Sequence, residues 1–350
     1  MSIYHQHPKL DFNDVMIVPR PGKVTSRSQV DLNSWYFKTH LGIKTCGIIA
    51  ANMDGVGTIE VAAALKEEEG CMTALHKHYN EDVLIEHFSS EAGSHSFYSM
   101  GMTQSDLEKL QRVMSAVGNP PHMMKICIDV ANGYMYEFGQ FCSMVKRKYP
   151  DAYIMAGNVV DSAGIENLSG VNMIKMGIGQ GSNCLTRTQT GIGYPQFSCI
   201  YDALENWNVN ANILVCSDGG CVTPGDVSKA FTVGASTVML GGMLAGSDQG
   251  GGDIIELNGR KVVEFYGMSS VTAQKKHNGG LKDYRSSEGR TTLVPYKGDI
   301  RNVIRNILGG IRSTCAYVGA ETLDLLPLNA NFIRVNSVLN RSMEQFTTGN

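Results

Sequence analysis

Short apolar runs recur along the chain from residue 46 onward, and each run ends in glycine or polar residues. Eight of them begin at residues 46, 71, 96, 123, 152, 172, 212 and 236. Stretches with the apolar period of a helix lie between the runs, at 58–69, 106–117, 134–149 and from Thr223 and Pro224 to Gly234. One strand alternating with one helix at this spacing is typical of parallel strands joined by crossover helices. The pattern predicts an α/β fold, a (β/α)8 TIM barrel, with a doubly wound sheet as the alternative.

Two later segments depart from this period. Residues 253–265 alternate around an Asn258-Gly259 pair, which predicts a β-hairpin. Residues 267–297 are polar and rich in glycine, and a long segment of this kind at a barrel mouth is usually a mobile lid. We therefore expect one domain over 1–350, with the hairpin and the lid (246–297) inserted after strand 8.

The ends of the chain are less strongly patterned. A helix is expected around 303–317, after the insertion. The first 45 residues are expected to cover the bottom of the barrel or to reach a neighbouring subunit, and the last 30 to form a peripheral tail.

Composition limits the classes of function. The formal net charge of −3 argues against a nucleic-acid partner but allows a local pocket for a small anion. No segment approaches about 18 consecutive apolar residues and the first residues hold no apolar signal core, so we expect a cytoplasmic protein with no membrane partner. The nine cysteines form no CxxC or Cys/His zinc pattern and are most simply reduced thiols.

The apolar runs end in residues that could carry chemistry. In a barrel, the carboxyl ends of the strands are where ligands bind, although any one polar residue there can also be a solvated or capping residue. The run ends are Asn52-Met53-Asp54, His76-Lys77-His78, Asp129 to Gly133, Gly157-Asn158, the loop after Met176, Asp218-Gly219-Gly220 and Gly241-Gly242.

The loop from Lys175 to Gln196 is the strongest candidate for a catalytic element. Glycines at 177, 179 and 181 let the main chain approach a ligand closely, and Cys184 follows within a few residues. A lone cysteine is more often a small buried apolar residue than a nucleophile, but the glycine loop favours the nucleophile. Thr186 and Glu288 are candidate proton-transfer partners, and Glu288 lies on the lid and would reach the site when the lid closes.

The loops after strands seven and eight suit a monophosphate. Barrels often bind phosphate there through main-chain amides, and Ser182 could add a hydroxyl. Asp218 could accept both hydroxyls of a ribose, with a capping role as the alternative. Lys77 could clamp an anion or move a proton, with a surface lysine as the alternative.

Together these motifs resemble the GMP reductases, close relatives of IMP dehydrogenase. The similarity runs from about Leu10 to Val335 and rests on GIGQGSNCLTRTQTGIGYPQ, AANMDGVGT, HKHY, CIDVANGY, AGNVV, SDGGCVTPGD, LGGMLAG, FYGMSS and YRSSEGR. The resemblance implies NADPH-dependent reductive deamination of GMP to IMP and ammonia. Cys184 would form a covalent thioimidate with carbon 2 of the purine, and Thr186 and Glu288 would handle protons around the departing ammonia.

The resemblance also implies binding residues. GMP would contact Ser182, Asp218, Gly219, Gly220, Gly241, Gly242, Met268, Ser269, Ser270, Arg285, Ser286 and Gly289. NADPH would contact Lys77, Asp129, Val130, Ala131, Tyr284, Arg285, Ser313 and Tyr317, with Ser26 and Arg27 supplied by a neighbouring subunit of a homo-oligomer, a tetramer in relatives. Carbonyls of Gly179, Gly181 and Cys184 would hold a potassium ion.

Three alternatives stay open at this point: an IMP dehydrogenase, a reductase of a modified purine monophosphate, and a catalytically silent nucleotide-binding protein. Only 17 residues, Tyr79 to His95, separate strands two and three, which leaves no room for the regulatory domain usual in the dehydrogenase. Cys184, Thr186 and Glu288 are all retained, which argues against a silent protein. The chain departs from the family pattern at Gln180, Asn183, Leu185, Gly55, Met100 and Met102.

Overall fold

The computed structural model describes residues 7–168, 170–206, 214–284 and 286–336. Its strands are β1 (Val15–Val18), β2 (Ile48–Ala50), β3 (Met72–Ala74), β4 (Ser96–Met100), β5 (Lys125–Asp129), β6 (Tyr153–Val159), β7 (Met173–Met176), β8 (Leu214–Asp218), β9 (Thr237–Leu240), β10 (Ile254–Leu257), β11 (Arg260–Tyr266), β12 (Thr291–Pro295) and β13 (Asn331–Arg334). Its helices are α1 (Trp35–Leu41), α2 (Ile59–Lys66), α3 (Glu81–Phe88), α4 (Gln104–Val117), α5 (Tyr136–Lys148), α6 (Ser162–Asn167), α7 (Thr186–Thr190), α8 (Gln196–Asn206), α9 (Pro224–Thr232), α10 (Val271–Asn278), α11 (Ile300–Val318) and α12 (Leu326–Asn329).

Strands β2 to β9 close into a parallel barrel in which β9 pairs with β2. The predicted (β/α)8 barrel is confirmed, and closure excludes the doubly wound alternative. Each barrel strand coincides with one of the eight apolar runs, because a parallel strand buried on both faces needs an almost continuous apolar sequence. Within the described residues, no helix has the length and apolarity needed to cross a membrane.

The strands contribute side chains to two cores. Alternate residues such as Met155, Met173 and Met239 point into the barrel, while their neighbours pack against the outer helices. Helix α1 closes the amino-terminal end of the barrel, because its fully buried Phe37 belongs to the inner core. This confirms the expected cover at the barrel bottom for residues 35–41.

Other parts of the first 45 residues lie at the opposite end. Main-chain and side-chain groups of Asp11 and Phe12 contact the region after β7 and β8: the Asp11 carboxylate accepts from the main-chain N of Gln196 at 2.6 Å, and the Phe12 carbonyl accepts from Lys229 Nζ at 2.8 Å. Strand β1 then pairs antiparallel with β13. Within the last 30 residues, predicted as a peripheral tail, residues 331–334 are thus a paired strand, and residues 337–350 lie outside the described residues.

The predicted hairpin is formed by β10 and β11, and Asn258 and Gly259 both have positive φ (52° and 72°), as a tight two-residue hairpin turn requires. The segment predicted as a lid has more regular structure than expected. It contains helix α10 and strand β12, which pairs antiparallel with β11 to complete a three-stranded sheet.

Candidate active site

The loop between β7 and α7 carries Cys184 at the open end of the barrel. Gly177 and Gly179 have φ of 140° and 82°, and a Cβ on Gly177 would lie 2.2 Å from the carbonyl oxygen of Asp218, so only glycine permits this close crossing of two loops. The loop then turns back, and the main-chain N of Cys184 donates to the carbonyl of Gly181 at 2.9 Å. The thiol is partly exposed as a result.

Three predicted catalytic side chains form a line of hydrogen bonds. The Cys184 thiol donates to Thr186 Oγ1 at 3.2 Å, and Thr186 Oγ1 donates to Glu288 Oε2 at 2.8 Å. The lid main chain fixes this arrangement, since the N of Leu185 donates to the carbonyl of Glu288 at 2.7 Å and Cys184 forms a β-bridge with Gly289. Glu288 was expected to arrive only on closure; in this structure it is already at the site.

This line faces a cavity of about 260 Å³. The predicted catalytic and binding residues that line it are Cys184, Thr186, Glu288, Ser182, Asp218, Gly219, Gly220, Gly241, Gly242, Met268, Ser269, Gly289, Asp129, Val130 and Ala131, together with Gly179 and Gly181 of the suggested potassium site. Residues from the carboxyl ends of four barrel strands (β5, β7, β8 and β9) and from the lid therefore meet around one space, as the barrel prediction requires.

The wall of this cavity contains a buried charged group that sequence reasoning did not assign. Lys175 Nζ lies 3.1 Å from Asp129 Oδ2 and 3.2 Å from Asp218 Oδ2. Burial alone would lower the pKa of Lys175, but the two carboxylates raise it well above its ordinary value. The same ammonium offsets the effect of burial on Asp129 and lowers the pKa of that carboxyl. A single lysine inside the apolar run NMIKMGIG was the available signal.

Two further basic residues, which the sequence analysis missed, bind main-chain carbonyls of the glycine loops. Arg290 donates through Nη2 to the carbonyl of Ser182 at 2.7 Å, and Lys297 Nζ donates to the carbonyls of Gly242 and Met243 at 3.0 and 2.9 Å. A Cβ on Gly242 would lie 2.6 Å from Ser182 Oγ, so the loop carrying Ser182 and the loop after β9 are in direct contact. Both basic side chains therefore fix the carbonyls of loops whose other groups face the cavity.

Several predicted binding residues lie outside the cavity wall. Ser270 is buried and caps α10, where its Oγ accepts from the N of Ala273 at 3.1 Å, and Ser286 Oγ donates to Gln189 at 2.9 Å. Lys77 also lies outside the cavity wall. Its charge lowers the pKa of Asp129, but by less than the charge of Lys175 does. Arg285 lies outside the described residues.

The remaining predicted cofactor residues are on the outer surface. Tyr284 and Tyr317 are 83% and 63% exposed, and Ser26, Arg27 and Ser313 are not buried. The turn Arg27–Gln29 packs on α11, the helix that carries Ser313 and Tyr317. One chain therefore separates the predicted cofactor residues into a cavity group and a surface group.

A cluster around Asp54 joins the lid to the barrel. Asp54 Oδ2 lies 2.5 Å from His277 Nε2, accepts from the Tyr266 hydroxyl at 2.7 Å and is 3.4 Å from Lys276 Nζ. The ring of His78 stacks on that of His277 at a centroid distance of 3.4 Å. Burial, followed by the charge of His277, lowers the pKa of His78 to about 4, so its ring is neutral at pH 7.

The departures from the family pattern have identifiable contacts. Asn183 is buried, donates to the carbonyl of Phe265 at 3.0 Å and accepts from Thr292 Oγ1 at 3.1 Å, which ties the catalytic loop to β11 and β12. The Gln180 side chain donates to the carbonyl of Tyr194. The N of Leu185 makes the contact with Glu288 given above.

The other three departures lie away from the thiol. Gly55 lines a second cavity of about 290 Å³ between β2, the hairpin and α10. Met100 is buried at the end of β4, and Met102 packs against the outer core. None of the three is part of the wall of the Cys184 cavity among the described residues.

Residues 9–343 match the family model for the IMP dehydrogenase / GMP reductase domain. The chain belongs to this family. It is 48% identical over 336 residues to GMP reductase 1 of Mus musculus, with 93% of this chain and 95% of the relative covered. It is 45% identical to GMP reductases of Caenorhabditis elegans, over 97% of this chain and 96% of the relative, and of Escherichia coli O139:H28, over 95% and 96%. The resemblance drawn from the motifs is confirmed, and these relatives are oxidoreductases.

Proposed function

We propose that this protein reduces GMP to IMP and ammonia with NADPH as the hydride donor. The observation that carries the proposal is the line from Cys184 through Thr186 to Glu288, which ends at a cavity bordered by glycine loops and Asp218. A thiol connected to a carboxylate through a hydroxyl can become a thiolate without releasing its proton to solvent. The names of the relatives support the coarser statement, that the substrate reduced is GMP.

The chemistry assigns one role to each member of the line. Cys184 gives up its proton through Thr186 to Glu288, and its sulfur adds to carbon 2 of the purine. The proton then returns through Thr186 to the amino group, which leaves as ammonia, so that a thioimidate links Cys184 to the base. NADPH, when bound, supplies the hydride that reduces carbon 2. The carbon–sulfur bond then breaks, and Cys184 leaves as a thiolate with IMP as the product.

We assign nucleotide binding to Asp218 and the glycine loops of the cavity wall. Asp218 accepts the ribose hydroxyls, and Ser182 with the main-chain amides of Gly241 and Gly242 holds the phosphate. Arg290 and Lys297 support this phosphate site by binding the carbonyls of the same loops. The other substrate contacts that we propose are Gly219, Gly220, Met268, Ser269, Ser270, Arg285, Ser286 and Gly289.

A nicotinamide cofactor fits the side of the cavity formed by the end of β5. Asp129 offers a second carboxylate acceptor of the kind that binds a ribose, and Val130 and Ala131 lie beside it on the cavity wall. We assign Lys77, Tyr284 and Arg285 to the same ligand. Ser26, Arg27, Ser313 and Tyr317 would serve it across a subunit boundary in a homotetramer.

Main-chain carbonyls of the catalytic loop suit a potassium ion, because carbonyl oxygen is the donor that potassium prefers. Gly181 already accepts one hydrogen bond, from the N of Cys184, and a carbonyl oxygen has a second lone pair for an ion. We propose Gly179, Gly181 and Cys184 as its ligands. The ion would hold the shape of the loop that carries the thiol.

Absorbance at 340 nm tests the function directly. With GMP and NADPH, the absorbance should fall while ammonia and IMP accumulate, and Cys184→Ala should abolish the change and still bind GMP in calorimetry. Cys142→Ala, which removes a cysteine of helix α5 that does not line this cavity, is the control and should remain active. Reduction of NAD⁺ with IMP in place of this reaction, or appreciable turnover by Cys184→Ala, would overturn the proposal.

A further inference from the structure

Lys175 occupies an unusual place for a charged residue. It is the third residue of β7, and its side chain is 2% exposed. Met173 on the same strand belongs to the inner core, so Lys175, two residues later, also points into the barrel. Gly157 lies beside it in register, and a Cβ there would come within 2.5 Å of Lys175 Cβ. The barrel therefore leaves space at Gly157 for this one lysine.

The charge of Lys175 is balanced by two carboxylates from different strands. Asp129 ends β5 and Asp218 ends β8, and each Oδ2 receives two donors. Lys175 is common to both, while Asn52 donates to Asp129 at 2.7 Å and Asn158 donates to Asp218 at 2.8 Å. Among the described residues, both donors to each carboxylate bind its Oδ2 atom. The Oδ1 atom of each carboxylate can therefore accept a hydrogen bond from a ligand.

We propose that Lys175 is a positioning residue that holds Asp129 and Asp218 ionised and oriented as acceptors for the two riboses, so that one buried cation serves both ligand sites. The proposal rests on the function proposed above, which assigns Asp218 to the nucleotide and Asp129 to the cofactor. Without the ammonium, two part-buried carboxylates would face each other, and one of them would take up a proton. A protonated carboxyl is a poorer acceptor for a ribose hydroxyl.

The test replaces the charge and measures binding of each ligand separately. Lys175→Met should weaken both GMP and NADPH by about 10- to 100-fold, the range expected when a hydrogen bond to a charged group is lost. Wild-type binding changes over pH 6 to 8 only as the ligand phosphate ionises, with a second pKa of about 6. Lys175→Met should gain more affinity than the wild type over this range, because its carboxylates then ionise as well. Lys175→Arg, which keeps the charge, should restore the wild-type pH profile.

A second buried lysine provides the control. Lys125, at the start of β5, is 1% exposed and donates to the carbonyl of Met123 rather than to a carboxylate. Lys125→Met should perturb the barrel to a similar degree but leave the pH dependence of ligand binding unchanged. If Lys175→Met does not fold by circular dichroism, Lys175→Gln, which removes the charge and keeps a donor on a side chain one atom shorter, takes its place in the same assay.

Calorimetry without turnover separates the two proposals. If the wild type binds GMP but does not oxidise NADPH, the proposed function fails, and pH-dependent GMP binding by Lys175→Met still supports the role of Lys175. If Lys175→Met weakens only one ligand, or weakens both with the wild-type pH profile that is expected of Lys125→Met, Lys175 does not serve both carboxylates and the inference is wrong.

Discussion

Glu288 illustrates how much of the proposed chemistry depends on single atoms. Its Oε2 accepts from Thr186 at 2.8 Å, which places it at the end of the proton path proposed above for Cys184. Glu288→Gln should lower kcat for GMP by about 100-fold or more, because an amide cannot take up the proton and general acid–base groups contribute at least this much. GMP binding should be nearly unchanged, since the amide can keep a hydrogen bond to Thr186.

Steady-state kinetics on GMP and NADPH measures this loss. Glu256→Gln, an exposed glutamate on β10, is the matched control and should behave as the wild type. A Glu288→Gln enzyme that kept more than half of the wild-type kcat would remove Glu288 from the proton path.

At the residue scale, the sequence predicted groups at the carboxyl ends of the barrel strands and in the loops after them, but missed Lys175. Cys184, Asp129 and Asp218 were candidates because the carboxyl ends of barrel strands are where ligands bind. The position of Lys175 between two carboxylates depends on which residues of β5, β7 and β8 point inward at the same level. That information arises only when the barrel closes and its register is fixed.

The lid helix α10 is held to the barrel by a charged contact between distant parts of the chain. His277 lies against Asp54 and stacks on His78, both from loops after barrel strands. His277→Ala should remove this contact and increase amide hydrogen exchange across residues 271–278 by about 10-fold, because a hydrogen bond to a charged group is lost. Lys275→Ala, on the exposed side of the same helix, is the control and should leave exchange unchanged. Equal exchange in both variants would show that the helix is held by other contacts.

Helix α3 and strand β4 meet through a buried histidine. His87 Nε2 lies 2.9 Å from Ser96 Oγ, and burial lowers the pKa of His87 to about 4. The unfolded chain, with an ordinary histidine pKa near 6.5, then binds more protons than the native state between about pH 4 and 6.5, so stability should fall as the pH falls through this window. We expect His87 to account for a loss on the order of 1–2 kcal/mol between pH 7 and pH 5.

Urea unfolding at pH 5, 6 and 7 measures this loss. His87→Gln should make the free energy of unfolding less dependent on pH, whereas His40→Gln, on the exposed face of α1, should leave the dependence as it is. The same slope in all three proteins would assign the pH dependence to other groups.

At the element scale, the hairpin was predicted and the third strand was not. The Asn258-Gly259 pair is itself the two-residue turn of the hairpin, so the local sequence is sufficient to predict it. Strand β12 is separated from β11 by a helix, and no turn motif in its five residues predicts which strand it pairs with. The contact of His277 with Asp54 was missed for the same reason, because 223 positions separate the two residues.

At the scale of the whole molecule, the predicted cofactor residues divide between the cavity and the outer surface. If the surface group of one subunit serves the cavity of its neighbour, two inactive variants should complement each other. Cys184→Ala lacks the thiol but keeps Arg27, and Arg27→Ala has the opposite defect. Mixed oligomers of the two should regain about a quarter of wild-type activity, because a randomly assembled site receives both intact residues in about one case in four.

Co-expression of differently tagged variants and assay of the doubly purified oligomer measures this recovery. The control pair, Cys184→Ala with Thr186→Ala, has both defects in one loop and should stay inactive. No recovery in the first pair would mean that Arg27 acts within its own subunit or has no role at the cofactor.

The pairing of β1 with β13 sets the order in which the protein can be completed during synthesis. Asp11 and Phe12 lie just before β1 and contact Arg187, Gln196 and Lys229. Strand β1 pairs with Asn331–Arg334, on the far side of the barrel in the sequence. Strand β1 therefore has no partner until the barrel strands β2 to β9 and the lid have been synthesised. A nascent chain can close its barrel before the support of the loop that carries Cys184 is complete, so competence to bind nucleotide should appear only after β13 has been synthesised.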